Sequence, residues 1–567
     1  AGRQANPSRR KKLTAAYLKS KEGIAGKHSR QIDALFAKWD RGRSPGAIVA
    51  VSHRGNVVHQ RGYGVANVED DVPFRSDTVL RLGSTTKHMC ATCILLLENQ
   101  GKLSLDQDIR RYVPELPDFG VEITLRHLLT MTSGLWDGIN LLLFSGLNTS
   151  YPQTRDDLLK LHCSQSQLMF RPGDDCTYSN TNYSLLSLVI ERVSGKSISV
   201  FMKTNLFEPL GMTNTGLTPR MSATIKRKAK GYLPTGDGQF EAGFMLTELD
   251  GNGGVDSSID DMLKWFANYR NDRLFGPDYR ERLEAESRLN DSRLLDYRLG
   301  INVTEYRGQQ VVRHAGGMPG YLCDFVFFPE ADLGIVTLAN VMDPSILDLS
   351  NRIADIVIDE EFNQPLESAF IDATLDEVAQ LVGVYASEQD GHVVELAIKD
   401  GALVCYFEGD LNPLLMRDGW MESQKNLVAV RVHDIAAGRE GCLQLRLGCQ
   451  ALSDLSLVDD PRDIELQDTS CMDGLVGSYV HDGLKEVHDV YIADKSLRVR
   501  IPGPVRGLVW DELTPVAGDL FVALIDSEPS CTNVTVKFLR DKSGVVTGLS
   551  YSLSRCRDVF FEKENTG

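Results

Sequence analysis

The sequence lacks several features that would place it in other classes of protein. No stretch approaches the roughly 18 consecutive apolar residues that would span a membrane. Positive charge is not in excess, since 61 Lys and Arg residues against 78 Asp and Glu residues give a formal net charge of -17. This argues against a nucleic-acid partner, because phosphate binding needs a basic surface. The beginning of the chain is basic and has no apolar run like that of a secretory signal, so residues 1–29 are predicted to form a solvated basic tail.

Cysteines form no regular ligand pattern, although the chain has 11 of them. Cys90 and Cys93 have C-x-x-C spacing, but they lie in an apolar helical stretch without a second pair. They are predicted to be buried free thiols, and neither a metal nor another cofactor is expected. Many unpaired cysteines favour a reducing compartment, so a cytoplasmic location is expected.

The chain is long enough for more than one domain. With 567 residues it exceeds the roughly 250–300 residues of a single core, and 42% hydrophobic and 25% charged residues are ordinary for a globular protein. Residues 30–363 show strand patterns at both ends and helical patterns between them, which predicts one antiparallel sheet built from both ends with an inserted helical region. The predicted strands are a pair within Gly46–Gly64, then Val311–His314, Leu322–Pro329 and Leu333–Asn340, and the predicted helices are 84–100, Thr124–Thr132 and Thr181–Val193.

Beyond Gln364, short segments in which apolar and polar residues alternate replace the helical patterns. This half contains a repeat, because LVGVY at Leu381 and LVGSY at Leu475 are offset by 94 residues. The same offset relates Asp400 to Asp494, Leu403 to Leu497, and Leu455-Ser456 to Leu549-Ser550. We expect two similar all-β domains, 364–470 and 471–567, built as small closed barrels or sandwiches, with barrels as the chosen prediction.

Ser84 and Lys87 are the first candidate catalytic pair. They are separated by three positions at the start of a predicted helix, so their side chains share a helical face. A serine hydroxyl is a poor nucleophile until a base takes its proton, and a lysine with a lowered pKa can do so.

Two further segments carry groups that could assist this serine. Tyr178 and Asn180 lie in a Tyr-Ser-Asn loop, where Tyr178 could relay a proton and Asn180 could bind Lys87 and a substrate amide. His314, Gly316 and Gly317 end a predicted strand, where small residues let a substrate lie close and a free N–H can bind an oxyanion.

The order S-x-x-K, Y-x-N, H-x-G resembles that of the penicillin-recognising serine hydrolases. Pro45-Gly46-Ala47, Gly62-Tyr63-Gly64, Leu128–Leu135, Phe207–Met212 and Gly253-Gly254-Val255 are similar to further family segments. The resemblance covers about residues 30–345. It implies an α+β fold in which a beta-lactamase or D,D-peptidase-like catalytic domain of 30–363 precedes the two β-barrel domains.

The resemblance also implies roles for the motif residues. Ser84 resembles the acylated nucleophile, and Lys87 and Tyr178 resemble the proton-relay pair, with the choice of general base left open. Asn180 resembles the positioning residue. His314 stands where a lysine often binds a substrate carboxylate, which a neutral histidine does not favour. The N–H groups of Ser84 and Gly317 resemble the oxyanion hole.

A catalytic domain followed by two similar β domains resembles the bacterial serine D-aminopeptidases. This implies removal of an N-terminal D-residue from a small peptide or amide, and a loop of the last domain, here Pro502–Trp510, that reaches the active site. An aminopeptidase must bind an ammonium, for which Asp137 and Asp511 are the candidates. The alternatives are a broad esterase or D,D-carboxypeptidase on the same fold and a non-catalytic penicillin-binding sensor. No nucleic acid or membrane partner is expected, and a homodimer is one assembly that the sequence allows.

Overall fold

The structure is a computed structural model that describes residues 28–147, 151–235, 238–271, 275–276 and 278–362. Between 381 and 564 it describes the strands given below and most of the turns beside them. Nearly all of the predicted tail 1–29 therefore lies outside the described residues. In the described part of the chain no helix is long and apolar enough to cross a membrane.

A six-stranded antiparallel sheet forms the centre of the first half, in the order β3-β4-β5-β6-β1-β2. Strand β1 pairs with β6 from Ala47 opposite Ala339 to His53 opposite Leu333. The first and last strands of the domain are thus neighbours, as predicted, whereas β3 was not predicted. The strands are β1 Ala47–His53, β2 Asn56–Tyr63, β3 Asn302–Tyr306, β4 Gln309–Met318, β5 Tyr321–Phe328 and β6 Leu333–Ala339.

Helices cover both faces of this sheet. Every residue of β5 and β6 is buried. Successive side chains of a strand point to opposite faces, so in β5 Phe325 and Phe327 join one apolar core while Val326 and Phe328 join another. A strand that is buried on both faces reads as a continuous apolar run, which explains the sequence of this segment.

The helices between β2 and β3 carry most of the candidate site. The predicted helix 84–100 is confirmed, although it begins as a 3-10 turn at Gly83–Thr85 before becoming α-helical. The helices are α1 Thr86–Asn99, α2 Leu125–Leu129, α3 Gly138–Phe144, α4 Arg155–Cys163, α5 Asn180–Ser194, α6 Ile198–Met202, α7 Ile259–Asn271, α8 Tyr279–Glu284 and α9 Leu349–Ile358. Short strands, which make small two- and three-stranded sheets, are Val65–Asn67, Val72–Pro73, Val79–Arg81, Gly216–Leu217, Tyr232–Pro234, Phe240–Ala242, Val255–Ser258, Ser287–Arg288 and Leu294–Leu295.

Two closed eight-stranded barrels follow, so the predicted fold class is confirmed. The first barrel contains Gly383–Ala386, Val393–Lys399, Ala402–Phe407, Asp410–Arg417, Trp420–Ser423, Val428–Val432, Cys442–Leu447 and Ser453–Val458. The second contains Gly477–His481, Glu486–Ala493, Ser496–Ile501, Leu508–Ala517, Leu520–Ser527, Ser530–Arg540, Val546–Leu553 and Cys556–Lys563. The domain boundaries proposed from the sequence, 364–470 and 471–567, stay predictions.

The sequence repeat holds for the first strands of each barrel. Tyr385 donates to the carbonyl of Leu381 at 3.1 Å, and Tyr479 donates to that of Leu475 at 2.6 Å, so the two repeated segments make the same hydrogen bond. The repeat fails at the far end. Leu455 lies in the eighth strand of its barrel, whereas Leu549 lies in the seventh of the other, so they are not equivalent. The longer strands of the second barrel increase the offset along the chain.

The second barrel packs against the catalytic half. Its core of aromatic and aliphatic residues includes Trp136, Leu141 and Phe144 from the region of α3. The Trp136 Nε1 atom donates to the carbonyl of Arg557 at 3.0 Å, and His488 Nε2 lies 2.9 Å from the carbonyl oxygen of Phe144. Shared burial of this kind fixes the barrel on the catalytic domain.

Cys90 and Cys93 are free and buried, as predicted. Cys176, in contrast, is disulfide-bonded. The argument from unpaired cysteines to a reducing compartment therefore loses part of its basis.

Candidate active site

Ser84 lies at the centre of the 3-10 turn that opens α1. Gly83 has φ +55, a conformation that glycine adopts without a steric penalty. Strand β4 presses against this turn, because a Cβ on Gly316 would come within 1.9 Å of the carbonyl oxygen of Leu82 and 2.8 Å of the Ser84 nitrogen. The Ser84 side chain itself remains partly exposed. Ser84 is thus held by a tight backbone contact at the free amino end of a helix.

Lys87 lies one turn further and is completely buried. Its Nζ atom is 3.1 Å from Ser84 Oγ, 2.8 Å from Asn180 Oδ1 and 2.6 Å from the carbonyl oxygen of Asn252. Burial lowers the pKa of Lys87 to about 7, with Asp137 opposing the shift and Arg555 adding to it.

These three neighbours suit a neutral amine. A neutral amine has two N–H groups and one lone pair. The amide oxygen of Asn180 and the carbonyl oxygen of Asn252 can only accept, so they take the two N–H groups. The lone pair then faces the Ser84 hydroxyl, which can donate its proton to it.

Asp137 fixes the orientation of Asn180. Its Oδ2 atom accepts from Asn180 N at 2.6 Å and from Asn180 Nδ2 at 2.8 Å, which turns the Oδ1 atom of Asn180 toward Lys87. Its Oδ1 atom accepts from the N–H groups of Ile139 and Asn140 and caps α3. Asp137 is fully buried, and both of its oxygens are engaged by backbone and amide donors.

Tyr178 adds a second proton-carrying group. Its hydroxyl forms a hydrogen bond with Ser84, and burial raises its pKa to about 12. The Lys87 Nζ atom lies 4.8 Å from the centre of its ring. Tyr178 therefore remains protonated near neutral pH while Lys87 can lose its proton.

His314 is buried in β4 and faces Tyr297. Its Nδ1 atom is 2.7 Å from the carbonyl oxygen of Ala315, so Nδ1 carries the proton, and Nε2 accepts from the Tyr297 hydroxyl at 3.2 Å. Burial, helped by the nearby Lys87, lowers the pKa of His314 to about 3. A histidine that stays neutral does not supply the cation that binds a carboxylate.

The end of β4 places the backbone of Gly316 and Gly317 beside the Ser84 turn. The pairing of β3 with β4 stops at Asn302 opposite Arg313, so the residues from His314 onward run past the end of β3. Gly316 is buried against the Ser84 turn and Gly317 is exposed. The Gly317 nitrogen lies 3.0 Å from the position that a Cβ on Gly83 would occupy. Gly317 thus borders the Ser84 turn on its open side.

The structure brings together Ser84, Lys87, Tyr178, Asn180, Asp137, His314, Gly316 and Gly317. Asp511 is in strand Leu508–Ala517, but its side chain lies outside the described part of the chain, as do residues 502–507 of the predicted reaching loop. Two groups were missed, the carbonyl of Asn252 and the side chain of Arg555. The Gly253-Gly254 pair marked the turn beside Asn252, whereas no sequence signal marked Arg555. Among the described residues no group of His, Cys, Asp or Glu side chains could hold a metal ion.

In this site a buried lysine lies beside a partly exposed serine, and a tyrosine is hydrogen-bonded to the same serine. This arrangement defines a serine hydrolase of the penicillin-recognising class. The chain belongs to the beta-lactamase family, whose profile matches residues 32–357, more than half of its length.

Two relatives show where the similarity lies. Penicillin-binding protein 4* of Bacillus subtilis (strain 168) is 27% identical over 326 residues, which cover 55% of this chain and 71% of that protein. The D-aminopeptidase of Gluconobacter oxydans (strain 621H) is 28% identical over 318 residues, which cover 55% of this chain and 58% of that protein. The chain thus matches less than two thirds of the D-aminopeptidase.

A solved structure supports the fold over a longer range. The octameric penicillin-binding protein homologue from Pyrococcus abyssi has a TM-score of 0.54 and 22% identity, and it covers 85% of this chain and 99% of its own. At this identity the likeness concerns the fold.

Proposed function

We propose that this hydrolase removes an N-terminal D-amino acid from short peptides or amides through an acyl-enzyme on Ser84. The observation that carries the chemistry is Lys87, which is buried with its Nζ atom 3.1 Å from Ser84 Oγ. The D-amino acid preference is supported by the similarity to a D-aminopeptidase and by the two barrels after the catalytic domain.

Acylation begins with Lys87 as the general base. Its lone pair takes the Ser84 proton while Oγ forms a bond to the substrate carbonyl carbon. The protonated amine is then held by Asn180 Oδ1 and the Asn252 carbonyl, both of which accept from it. The lowered pKa places this base close to neutral pH, where general bases act best.

The backbone N–H groups of Ser84 and Gly317 bind the oxyanion that forms next. They border the same open space between the start of α1 and the end of β4. Donors fixed in advance stabilise developing charge without reorganisation, and one such donor contributes about a hundredfold or more to the rate.

Tyr178 carries the proton to the leaving group. As its raised pKa keeps it protonated, it donates its proton to the departing nitrogen as the C–N bond breaks, and the protonated Lys87 beside it then returns a proton to its phenolate oxygen. Water then attacks the acyl carbon and gives its proton to the neutral Lys87. As the bond between the acyl carbon and Ser84 Oγ breaks, Lys87 passes that proton to Oγ, which releases the D-amino acid and restores Ser84.

Asp137 acts as a positioning residue in this mechanism. Its four hydrogen bonds go to the N–H groups of Asn180, Ile139 and Asn140. We therefore propose that it orients Asn180 and that the ammonium of the substrate is bound by another group.

The proposal is tested with four substrates: D-alanine p-nitroanilide, its L-isomer, its N-acetyl form and a p-nitrophenyl ester. We expect turnover of the D-anilide and the ester, an adduct on Ser84 by mass spectrometry with a slow substrate, and loss of both in Ser84→Ala. Ser543→Ala, on an exposed turn of the second barrel, is the matched control. Equal turnover of the N-acetyl form contradicts the aminopeptidase activity, and an adduct in Ser84→Ala contradicts the nucleophile.

We also propose that the chain self-associates. The Pyrococcus abyssi homologue, which covers most of this chain, is octameric. Light scattering coupled to size exclusion tests this, and a monomer at every concentration contradicts it.

A further inference from the structure

Arg555 reaches the active site from the second barrel. It lies in the turn between the last two strands, Val546–Leu553 and Cys556–Lys563. The guanidinium carbon is 4.7 Å from the centre of the Tyr178 ring, and the Arg555 carbonyl accepts from the N–H of Asp137 at 3.0 Å. A residue near the end of the chain thus touches two residues of the catalytic site.

The turn that carries Arg555 is anchored next to it. Arg557 pairs with Asp175 at 3.2 Å, and its carbonyl accepts from Trp136 Nε1 at 3.0 Å. Gln167 donates to the carbonyl of Asp558 at 3.0 Å. Because Arg555 itself, Arg557 and Asp558 all contact the catalytic half, the position of Arg555 is set by the docking of the barrel.

Among the described residues, Arg555 has no carboxylate counter-ion. Within the described part of the chain no carboxylate oxygen lies within 4.0 Å of its guanidinium. Asp137, whose N–H donates to the Arg555 carbonyl, has both of its carboxylate oxygens engaged by Asn180 and by the start of α3. Stacking uses the face of a guanidinium, whereas its N–H groups lie along the edge and suit a planar anion.

The position of Arg555 indicates which part of a substrate it meets. It stacks on Tyr178, the group that gives its proton to the leaving group in the proposed mechanism. His314, at the position that resembles a carboxylate-binding lysine, is neutral and bonded to Tyr297. A cation from the barrel therefore stands beside the leaving-group side of Ser84.

We propose that Arg555 binds a carboxylate on the leaving group, so that a short peptide with a free C-terminus is preferred over the corresponding neutral amide. This specificity rests on the proposed function, because it concerns the same nucleophile and the same leaving-group side. It also places the substrate ammonium away from Arg555 and Lys87, on the acyl side of the site.

The test compares a dipeptide, D-Ala-Ala, with its C-terminal amide, which differs only in the carboxylate. In the wild-type chain we expect kcat/KM for the acid to exceed that for the amide by about 10- to 100-fold, the range of a charge-assisted hydrogen bond. In Arg555→Gln this preference disappears, mainly through KM for the acid, and Arg555→Lys restores part of it. Arg540→Gln, which breaks an exposed ion pair with Asp519 in the same barrel, should leave the preference unchanged.

Binding gives a second readout that does not need turnover. Calorimetry with Ser84→Ala should show tighter binding of the acid than of the amide, and Ser84→Ala/Arg555→Gln should bind both alike. If Arg555→Gln lowers activity equally for both substrates, or only shifts a pH profile that both share, Arg555 acts on Lys87 and the inference is wrong. Acylation of Ser84 by a neutral ester separates the two proposals, since it requires Ser84 and Lys87 but no carboxylate.

Discussion

Burial in the same site shifts the pKa values of Lys87 and Tyr178 in opposite directions, because the charged form of lysine is a cation and that of tyrosine is an anion. Desolvation disfavours the charged form, which is the ammonium of lysine and the phenolate of tyrosine. It therefore lowers the pKa of Lys87 to about 7 and raises that of Tyr178 to about 12. The sequence left the choice of base open, and this pair of shifts favours Lys87 as the base and Tyr178 as the acid.

The first prediction concerns pH. If neutral Lys87 is the base, as proposed, kcat/KM should rise with pH through an apparent pKa of about 7 and level off above it. His314, whose pKa is lowered to about 3, should add no step between pH 5 and pH 9. Initial rates with a neutral ester across this range measure the profile. A flat profile from pH 5 to 9 would show that Lys87 does not act as the base.

The second prediction concerns removal of the base. Lys87→Met replaces the amine with an apolar side chain of similar length. The fold should therefore persist, while kcat falls by about a hundredfold to ten thousandfold. Lys264→Met, on the exposed side of α7, is the control. Rates and thermal unfolding are measured together. Retained activity in a folded Lys87→Met variant would leave Tyr178 as the base.

The third prediction tests the role of Asp137. The carboxylate stabilises the ammonium of Lys87, so Asp137→Asn should move the rising limb of the pH profile to lower pH. It should also reduce kcat, because Asn180 loses an acceptor. Asp156→Asn, exposed on α4, is the control. A rise in KM confined to substrates with a free amine, without a pH shift, would instead indicate that Asp137 binds the ammonium.

At the scale of elements, the contact between β4 and the Ser84 turn determines the site. The motif residues are distributed over three elements: the start of α1, the start of α5 and the end of β4. Strand β4 can approach the turn only where it has no side chain, which explains Gly316. From the sequence, the small residues here were expected to let a substrate lie close, whereas the structure shows Gly316 against the Leu82 carbonyl oxygen and the Ser84 nitrogen.

The fourth prediction follows from that contact. Gly316→Ala places a methyl group 1.9 Å from the Leu82 carbonyl oxygen, so β4 must move away from Ser84. We expect a loss of activity of at least about tenfold together with lower stability, since overpacking costs about 1–3 kcal/mol. Gly216→Ala, with no atom within 4 Å of the added methyl group, is the control. Unchanged kcat in Gly316→Ala would show that the spacing does not matter.

At the scale of the whole molecule, the second barrel packs against the residues that surround the candidate site. Trp136 is 1% exposed and belongs to the core of the barrel, although it lies one residue before Asp137. The barrel also approaches α4 closely, because a Cβ on Gly483 would lie 2.1 Å from the Ser164 carbonyl oxygen. Docking of the barrel therefore connects its folding with the geometry around Asp137, Asn180 and Arg555.

The fifth prediction concerns this docking. Trp136→Ala removes a buried indole and its hydrogen bond to Arg557, at a cost of about 3–5 kcal/mol. We expect the barrel to unfold or detach at a lower temperature than the catalytic domain, which calorimetry would show as two transitions. Trp136→Phe should keep most of the packing and lose mainly the hydrogen bond. A single transition at the wild-type temperature in Trp136→Ala would contradict the coupling.

The sequence predicted the elements better than their contacts. The strand pair near Gly46–Gly64, helix α1 and the β-rich second half follow from local periodicity, which one segment expresses by itself. Strand β3 was missed because it is short and partly exposed. The repeat matched the first strands of the two barrels correctly, but it wrongly matched Leu455 with Leu549. The strands of the two barrels differ in length, so a single constant offset along the sequence cannot align all of them.

The sequence by itself determined that Ser84 and Lys87 are neighbours, because residues at i and i+3 of a helix lie on the same face. It also determined that Tyr178 and His314 were candidates, through their order along the chain. Only the tertiary structure decided that Asn252 accepts from Lys87, that Asp137 orients Asn180 and that Arg555 stacks on Tyr178. These contacts join residues of ordinary type across long separations, so no local pattern encodes them, and the contact of Arg555 with Tyr178 also requires the second barrel to pack against the catalytic domain.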